Sequence, residues 1–186
     1  TPREVEKIIL LTERGDTTTE NIIMAAALSG QTVTIRNASP NYMVQDVCFF
    51  LEKLGVKVKG IGTTTLTIHG LNSVSKDVEY AVSDDPIEAV TFVAVALVTH
   101  SELSITRAPI EFVELELDTL RQMGANIEIS EEYFSYNGRT RLVDILVKKS
   151  KLHAAKDKLH ALPFPGINMD NLPFLGLIAT VAEGRT

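Results

Sequence analysis

Two stretches of this 186-residue chain show the same order of predicted elements, and this repetition constrains the fold more than any other feature. In the first stretch, "KIILL" predicts a strand, residues 19–29 an apolar helix, and "QTVTIRN" a second strand. Residues 41–54 place apolar side chains at helical spacing, and "VKVKG" and "TLTIHG" alternate as a final pair of strands. The predicted order is therefore βαβαββ.

The second copy follows about 69 residues later, and a repeat on this scale is typical of supersecondary units that share a core. It comprises "VEYAV", a helix at 87–98, "ELSITRA", a helix that ends in "LRQMG", and then "ANIEI" and "YFSYNG" as strands. We expect a third copy to begin at "VDILVKK" and to break off after its first helix, at 172–182. The sequence thus predicts an α/β (α+β) fold with about two and a half copies of the unit.

Composition and charge exclude several classes of protein. The hydrophobic fraction of 45% is enough for a real core. The net charge of -6 argues against a nucleic-acid partner, because a protein that binds the phosphate backbone presents a basic face. A single cysteine without Cys-x-x-Cys spacing predicts neither a disulfide nor a metal site. No apolar run reaches the roughly 18 residues of a membrane helix, so we expect a cytoplasmic protein with no membrane partner.

Three predicted helix starts carry hydroxyl or acidic side chains, and right-handed crossovers would place them at equivalent corners of the fold. Residues 17–20 have the Thr-x-x-Glu spacing of a capping box. Asp85 suits an N-cap, with Pro86 and Glu88 in the first turn, so a structural role is the favoured interpretation there. Asp170 lies at or just before the last predicted helix, and the question is whether it is a cap or a chemical group.

The loop before Asp170 favours a chemical role. Pro163, Pro165 and Gly166 precede it in "PFPGINMDNLPF" and restrict the backbone around one carboxylate, which a simple cap rarely requires. Two other conspicuous features have plainer interpretations. Cys48 lies on an apolar helical stripe and is expected to pack in the core. The Lys-rich segment 148–160 is expected to form an amphipathic surface helix with solvated lysines.

Four motifs together resemble the enolpyruvyl transferase family, namely "TTTENIIMAAALSG", "DDPIEAVTFVAVAL", "LRQMGANIEI" and "PFPGINMDNLPF". The resemblance runs from about Ile8 to the last residue and implies an inside-out barrel, with six βαβαββ units in two domains, helices buried and sheets outside. Residues 1–82 would close one domain and residues 83–186 would open the second. The chain would then be a partial one, and the remainder of its own two-domain polypeptide would be its partner.

The resemblance also implies a reaction and a set of site residues. It is strongest to the branch that transfers the enolpyruvyl group of phosphoenolpyruvate to a hydroxyl of UDP-N-acetylglucosamine in peptidoglycan synthesis, releasing phosphate without a cofactor. Asp170 matches an aspartate proposed as the general base, and Asp85 and Glu88 match acids that face the same cleft. The loop near the nucleotide diphosphate corresponds to Gly15, Asp16 and Thr17. We expect this chain alone to be inactive, because the family's cationic residues and catalytic loop match nothing within it.

The sequence departs from the family pattern at several places. The loop at 15–17 reads Gly-Asp-Thr where a small uncharged run is usual, Pro86 stands where arginine is common, and 171–174 replaces a glutamine-containing run. These departures leave two alternatives open. One is a non-catalytic module that binds a nucleotide sugar or a protein. The other is a different enzyme of the same architecture, either the shikimate-branch synthase or an RNA-phosphate cyclase-like protein, and the acidic charge disfavours an RNA substrate.

Overall fold

The computed structural model describes residues 7–185. The chain divides into two compact units, of which the first ends at Ser83 and the second begins at Asp84. Each unit has its own cluster of buried apolar side chains. No helix within the described range is both long and apolar enough to cross a bilayer.

The first unit has the predicted βαβαββ order. Its elements are β1 (Lys7–Leu10), α1 (Asp16–Ala27), β2 (Thr32–Arg36), α2 (Tyr42–Lys53), β3 (Lys57–Lys59) and β4 (Thr65–His69). The sheet order is β1-β2-β4-β3, with β1 parallel to β2 and the other neighbours antiparallel. The buried alternate residues of β2 and β4 meet the apolar stripes of both helices. Cys48 is fully buried in this cluster, so the prediction that it is a core residue is confirmed.

The second unit contains the predicted helices and a sheet of similar plan. Its elements are α3 (Pro86–Val98), β5 (Leu103–Pro109), α4 (Glu114–Gln122), β6 (Asn126–Ile129), β7 (Tyr133–Phe134), β8 (Arg141–Lys148) and α5 (Leu172–Ala179), with short 3-10 turns at Ile110–Phe112 and Met169–Asn171. The sheet order is β5-β8-β6, and β7 pairs with the start of β8. All of these pairs are antiparallel.

The strand predicted at "VEYAV" is wrong, because residues 78–82 join no sheet in the described part of the chain. The segment is held instead by α2, chiefly through the side chain of Tyr80. The Tyr80 hydroxyl donates to Asp46 Oδ1 at 2.7 Å, and the rings of Tyr80 and Phe50 have centroids 5.7 Å apart. Ser83 N also donates to Asp46 Oδ1, at 2.9 Å. These contacts fix the segment on a helix surface, so its alternating pattern does not lead to strand pairing.

The predicted start of the third unit is also wrong. All of the "VDILVKK" stretch except its last residue lies in β8, which pairs with β5 and β6 as β4 pairs with β2 and β3, so the stretch completes the second unit. The "YFSYNG" stretch contributes only the two-residue β7. β8 takes the central position in the sheet, and its adjacent residues Leu142 and Val143, which point to opposite faces, are both buried. The third unit begins instead near His153, which forms an isolated parallel bridge with Glu183.

The amphipathic helix predicted over 148–160 does not form beyond the end of β8. The backbone is irregular apart from the bridge at His153. His153 N donates to Met123 O at 2.9 Å, and Ala154 N donates to Glu183 O at 2.7 Å. Backbone groups that bond to distant segments in this way cannot bond within a helix. Leu152 is buried in the core of the second unit, which explains the apolar spacing that suggested a helix.

Candidate functional site

Asp170 lies in the 3-10 turn immediately before α5, and its side chain is exposed. It is not a cap. Asn168 occupies the cap position of this turn, and its side-chain oxygen accepts a hydrogen bond from Asp170 N at 3.0 Å. Among residues 7–185, no donor bonds to the Asp170 carboxylate, so both of its oxygens are open to a ligand. The turn packs against α3.

Glu116 on α4 anchors the Asp170 turn, and sequence reasoning missed it. This carboxylate is only 2% exposed, and its Oε1 accepts from Asn168 N at 3.1 Å and from Asn171 Nδ2 at 2.9 Å. Glu116 therefore binds Asn168 and Asn171, which lie on either side of the pair Met169 and Asp170 in the sequence. A signal was present in the sequence, because the buried stripe of α4 continues through Leu117 and Leu120 and an acid at such a position requires a partner.

The loop before the turn is tightly closed, as the proline and glycine content predicts. Leu162 N donates to Ile167 O at 3.1 Å, and Gly166 N donates to Pro163 O at 3.0 Å. A Cβ at Gly166 would lie 2.4 Å from the Leu162 Cβ, so the close approach requires glycine. The ring centroids of Phe164 and Phe112 are 5.1 Å apart. The backbone that leads to Asp170 is therefore held at several points.

Asp85 caps α3, and this prediction is confirmed. Its Oδ1 accepts from Ile87 N at 2.8 Å, and Pro86 follows in the first turn. Asp85 and Glu88 are both exposed, and both line a cavity of about 410 Å³ between the start of α3 and β5. Asp170 does not line this cavity. The structure therefore brings Asp85 and Glu88 together, while Asp170 lies on a separate turn packed on the same helix.

A second group that the sequence did not reveal surrounds Arg107 in the same cavity. Asp84 accepts two hydrogen bonds from the Arg107 guanidinium, at 2.8 and 2.9 Å, and a third from Ser135 Oγ at 2.8 Å. The hydrogen bond to Asp84 raises the pKa of Arg107 above its usual value. The guanidinium also stacks on the Tyr136 ring, 4.3 Å from its centroid. Asp84 thus neutralises the cation of the cavity.

A bulge in β5 sets the orientation of the Arg107 side chain. Its φ of 65° lies in the left-handed region, and the register of β5 against β8 shifts between Ile105 and Ala108. Its backbone N–H donates to Tyr133 Oη and to Asp144 Oδ1, both at 3.0 Å, which satisfies the group that the bulge frees from the ladder. Burial, and then a hydrogen bond to Asp144, raise the pKa of Tyr133.

The residues Gly15, Asp16 and Thr17 lie in the first unit, at the start of α1. The predicted capping box is wrong, because the helix begins at Asp16 and Gly15 takes the cap position without a side-chain bond. The Asp16 carboxylate accepts from Asn41 Nδ2 at 3.0 Å and from Ser39 Oγ, which ties α1 to the start of α2. Since Asp16 would repel a diphosphate, only backbone N–H groups or the exposed Thr17 hydroxyl suit a phosphate here.

Within residues 7–185, no three His, Cys, Asp or Glu side chains are grouped so that they could hold a metal ion.

Comparison with known proteins shows a family-level likeness. Residues 15–185 match the family described as EPSP synthase (3-phosphoshikimate 1-carboxyvinyltransferase). The chain is 31% identical over 170 residues to UDP-N-acetylglucosamine 1-carboxyvinyltransferase 2 of Caldanaerobacter subterraneus subsp. tengcongensis, which covers 90% of this chain and 37% of that protein. It is 35% identical over 164 residues to the protein of the same name from Prochlorococcus marinus, covering 88% and 35% respectively. The chain thus spans little more than a third of these curated relatives.

Solved structures share the fold. The enolpyruvyl transferase NikO from Streptomyces tendae superposes with a TM-score of 0.76 at 20% identity, covering 96% of this chain and 42% of NikO. An EPSP synthase from Acinetobacter baumannii superposes with a TM-score of 0.70 at 20% identity, covering 95% of this chain and 38% of that structure. At this identity the likeness concerns the fold alone. It agrees with the predicted repeats and with a chain that represents part of a larger architecture.

Proposed function

We propose, on the premise that this chain belongs to the EPSP synthase family of enolpyruvyl transferases, that it forms part of an enzyme acting on UDP-N-acetylglucosamine. The enzyme would transfer the enolpyruvyl group of phosphoenolpyruvate to a hydroxyl of this sugar nucleotide and release phosphate, a cytoplasmic step towards peptidoglycan. The observation that carries the proposal is the identity of 31% and 35%, over about nine tenths of the chain, to two relatives named for this substrate.

The chemistry requires three kinds of group. A base must accept the proton of a weakly acidic hydroxyl, an acid must protonate the methylene carbon of phosphoenolpyruvate, and cations must bind its carboxylate and phosphate. We assign the base to Asp170. Its exposed carboxylate has no donor among the described residues, so it is available to a substrate hydroxyl. Its backbone is held by Asn168 and, through it, by Glu116, as the positioning of a general base requires.

The substrate-binding roles are assigned to the remaining candidates. Asp85 and Glu88 would bind hydroxyl or amide groups, because exposed carboxylates accept such hydrogen bonds and repel phosphates. The Gly15, Asp16 and Thr17 loop would contact the nucleotide through backbone N–H groups and the Thr17 hydroxyl.

Turnover is proposed for the complete enzyme and not for this chain alone. Two reacting anions have to be held together, and the cation in the described cavity, Arg107, is already paired with Asp84. Mixing the 186-residue chain with phosphoenolpyruvate and UDP-N-acetylglucosamine should release no phosphate above background. Measurable turnover would show that this chain carries all the required catalytic groups and that the proposed division of the active site between it and the rest of the enzyme is wrong.

The decisive test is Asp170→Asn in the complete enzyme. This change removes the proton acceptor but keeps the shape of the side chain, so kcat should fall by roughly 100-fold to 10,000-fold while Tm stays nearly unchanged. Asp118→Asn is the matched control, since Asp118 is an exposed aspartate on α4 to which no role in binding or catalysis is assigned. A kcat for Asp170→Asn within about threefold of the parent would remove Asp170 from the role of base.

The acceptor is tested separately by calorimetric titration of the complete enzyme with UDP-N-acetylglucosamine and with shikimate 3-phosphate. Tighter binding of the sugar nucleotide is expected. Preference for shikimate 3-phosphate would assign the protein to the other branch of the family without affecting the assignment of Asp170.

A further inference from the structure

The second unit contains another cavity, between α4 and the irregular segment 155–162, to which the proposed reaction assigns no role. Its volume is about 280 Å³. None of Asp85, Glu88 and Asp170 lines it. The lining includes five large apolar side chains, namely Leu115, Met123, Leu159, Leu162 and Ile167. The cavity is therefore mainly apolar and separate from the candidate base.

Part of this apolar lining is open to solvent. Leu115 is 43% exposed and Leu162 is 53% exposed, whereas Met123 belongs to the buried core of the unit. Leu159 packs against the same core but is only partly buried. Removing apolar surface from water is favourable, so a ligand whose apolar body covers the two exposed leucines would be stabilised.

Three basic side chains of the segment also line the cavity, namely Lys156, Lys158 and His160. Within residues 7–185 neither lysine forms a salt bridge. Among the described residues of the lining Asp157 is the one acid, and its Oδ1 accepts a hydrogen bond from Lys158 N at 2.7 Å. Because two ammonium groups outnumber one carboxylate, the cavity favours an anion although the chain carries a net charge of -6.

The polar side chains on the α4 side of the cavity already have partners. The Thr119 hydroxyl donates to Leu115 O at 2.7 Å, and Gln122 Nε2 donates to Asp118 Oδ2 at 2.7 Å. The charged head of a ligand is thus bound from the side of the segment 155–162, by the lysines, while its apolar body lies towards α4.

We infer that this cavity binds a small amphiphilic anion, an alkyl or aryl carboxylate whose head is held by Lys156 and Lys158. A concave and mainly apolar lining with a few polar groups is the usual form of a small-molecule site, and the volume is close to the lower end of the usual range of about 300–1,000 Å³. An α-helix is about 10–12 Å wide, so a cavity of this size suits one short chain or ring better than a segment of protein.

One wall of the cavity belongs to the loop that leads to Asp170. Leu162 N donates to Ile167 O at 3.1 Å, and both of these residues line the cavity. The next residue, Asn168, is bound by Glu116. A ligand that packs against Leu162 and Ile167 should therefore hold this loop closed and slow the hydrogen exchange of the Leu162 amide.

Binding is tested by calorimetric titration of the complete protein with sodium octanoate, and with 1-octanol as an uncharged ligand of the same chain length. Octanoate should bind with a Kd of about 1 mM or tighter, and octanol at least about fivefold more weakly. Absence of octanoate binding, which would also result if polypeptide outside residues 1–186 filled the cavity, would overturn the inference. Equal affinity for octanol would overturn the assignment of an anion.

The double variant Lys156→Ala/Lys158→Ala should weaken octanoate binding about tenfold, as expected for the loss of two exposed ion pairs. Lys57→Ala/Lys59→Ala is the matched control, since it removes the same charge from two exposed lysines of β3 and should leave the Kd within about twofold of the parent value. An unchanged Kd for the first variant, or an equal loss in the control, would show that the lysines do not bind the head.

Hydrogen exchange measured with and without saturating octanoate locates the site independently. The Leu162 amide should exchange at least about threefold more slowly with ligand, while the amides of β2 in the first unit should not change. An unchanged rate at Leu162 would place the ligand elsewhere and overturn the inference. Neither measurement depends on catalysis, so the inference stands or fails independently of the proposed function.

Discussion

Replacing Glu116 by alanine should destabilise the second unit more than replacing any exposed acidic residue of α4 by alanine. The change removes two charge-assisted hydrogen bonds and leaves Asn168 N and the Asn171 amide without their acceptor in the interior. Each such bond contributes about 1.5–3 kcal/mol, and the loss of the acceptor leaves two donors unsatisfied. Because Glu116 is only 2% exposed, solvent does not screen this loss. We expect the free energy of unfolding to fall by about 3–6 kcal/mol for Glu116→Ala, the sum for the two bonds.

The assay is urea unfolding with linear extrapolation, on the complete protein and three variants. Glu116→Gln keeps an acceptor oxygen of the same reach, so it should cost only about 1–2 kcal/mol. Glu114→Ala, on the exposed face of the same helical turn, should cost less than about 1 kcal/mol. In the active enzyme, kcat should fall for Glu116→Ala and largely recover for Glu116→Gln, since the acceptor restores the Asp170 turn. If Glu116→Ala costs no more than Glu114→Ala, Glu116 does not anchor the turn.

Three further predictions concern stability and reactivity. Burial raises the pKa of Cys48 to about 12, so a thiol-directed alkylator should label it only on unfolding, and rapid labelling of the native protein would contradict its burial. As the pH rises, this thiol ionises in the unfolded chain before it ionises in the folded one. The stabilisation from burying the neutral Cys48 thiol is therefore complete below about pH 8.5 and is lost as the pH rises towards 12. Cys48→Ala should lower the unfolding free energy by about 1–2 kcal/mol at pH 7 and abolish this part of the pH dependence. Asp85→Ala should lower the unfolding free energy by about 1 kcal/mol through loss of the cap, whereas no loss would show that water replaces it. Arg107→Ala should lower the unfolding free energy by about 1 kcal/mol, because its ion pair with Asp84 is partly exposed. Arg107→Gly should lower it by less, because glycine tolerates the left-handed backbone at this position. Equal losses for the two variants would exclude backbone strain at Arg107.

The sequence by itself determined the elements that depend on local signals. The helical spacing at 41–54, the Asp-Pro start of α3 and the alternation of β2 and β5 each arise within a few residues, so they were predicted correctly. The repeat was likewise visible, because equivalent elements carry equivalent spacing. The closed backbone before Asp170 followed from its prolines and glycine, whose conformational limits are intrinsic. The prediction of a capping box at 17–20 failed because the helix begins two residues earlier, with Gly15 instead of Thr17 at the cap position.

Only the tertiary structure decided which strands pair and which acids are partnered. The stretch 78–82 has the pattern of a strand but lies on α2, while β8 takes the central place in its sheet, because pairing depends on what is adjacent in space and not on the pattern alone. For the same reason the sequence could not show that Glu116 is buried against Asn168 or that Asp84 neutralises Arg107. Hydrogen bonds and ion pairs between residues distant in sequence form only when the packed core brings their atoms within about 3 Å, and no local pattern records that distance.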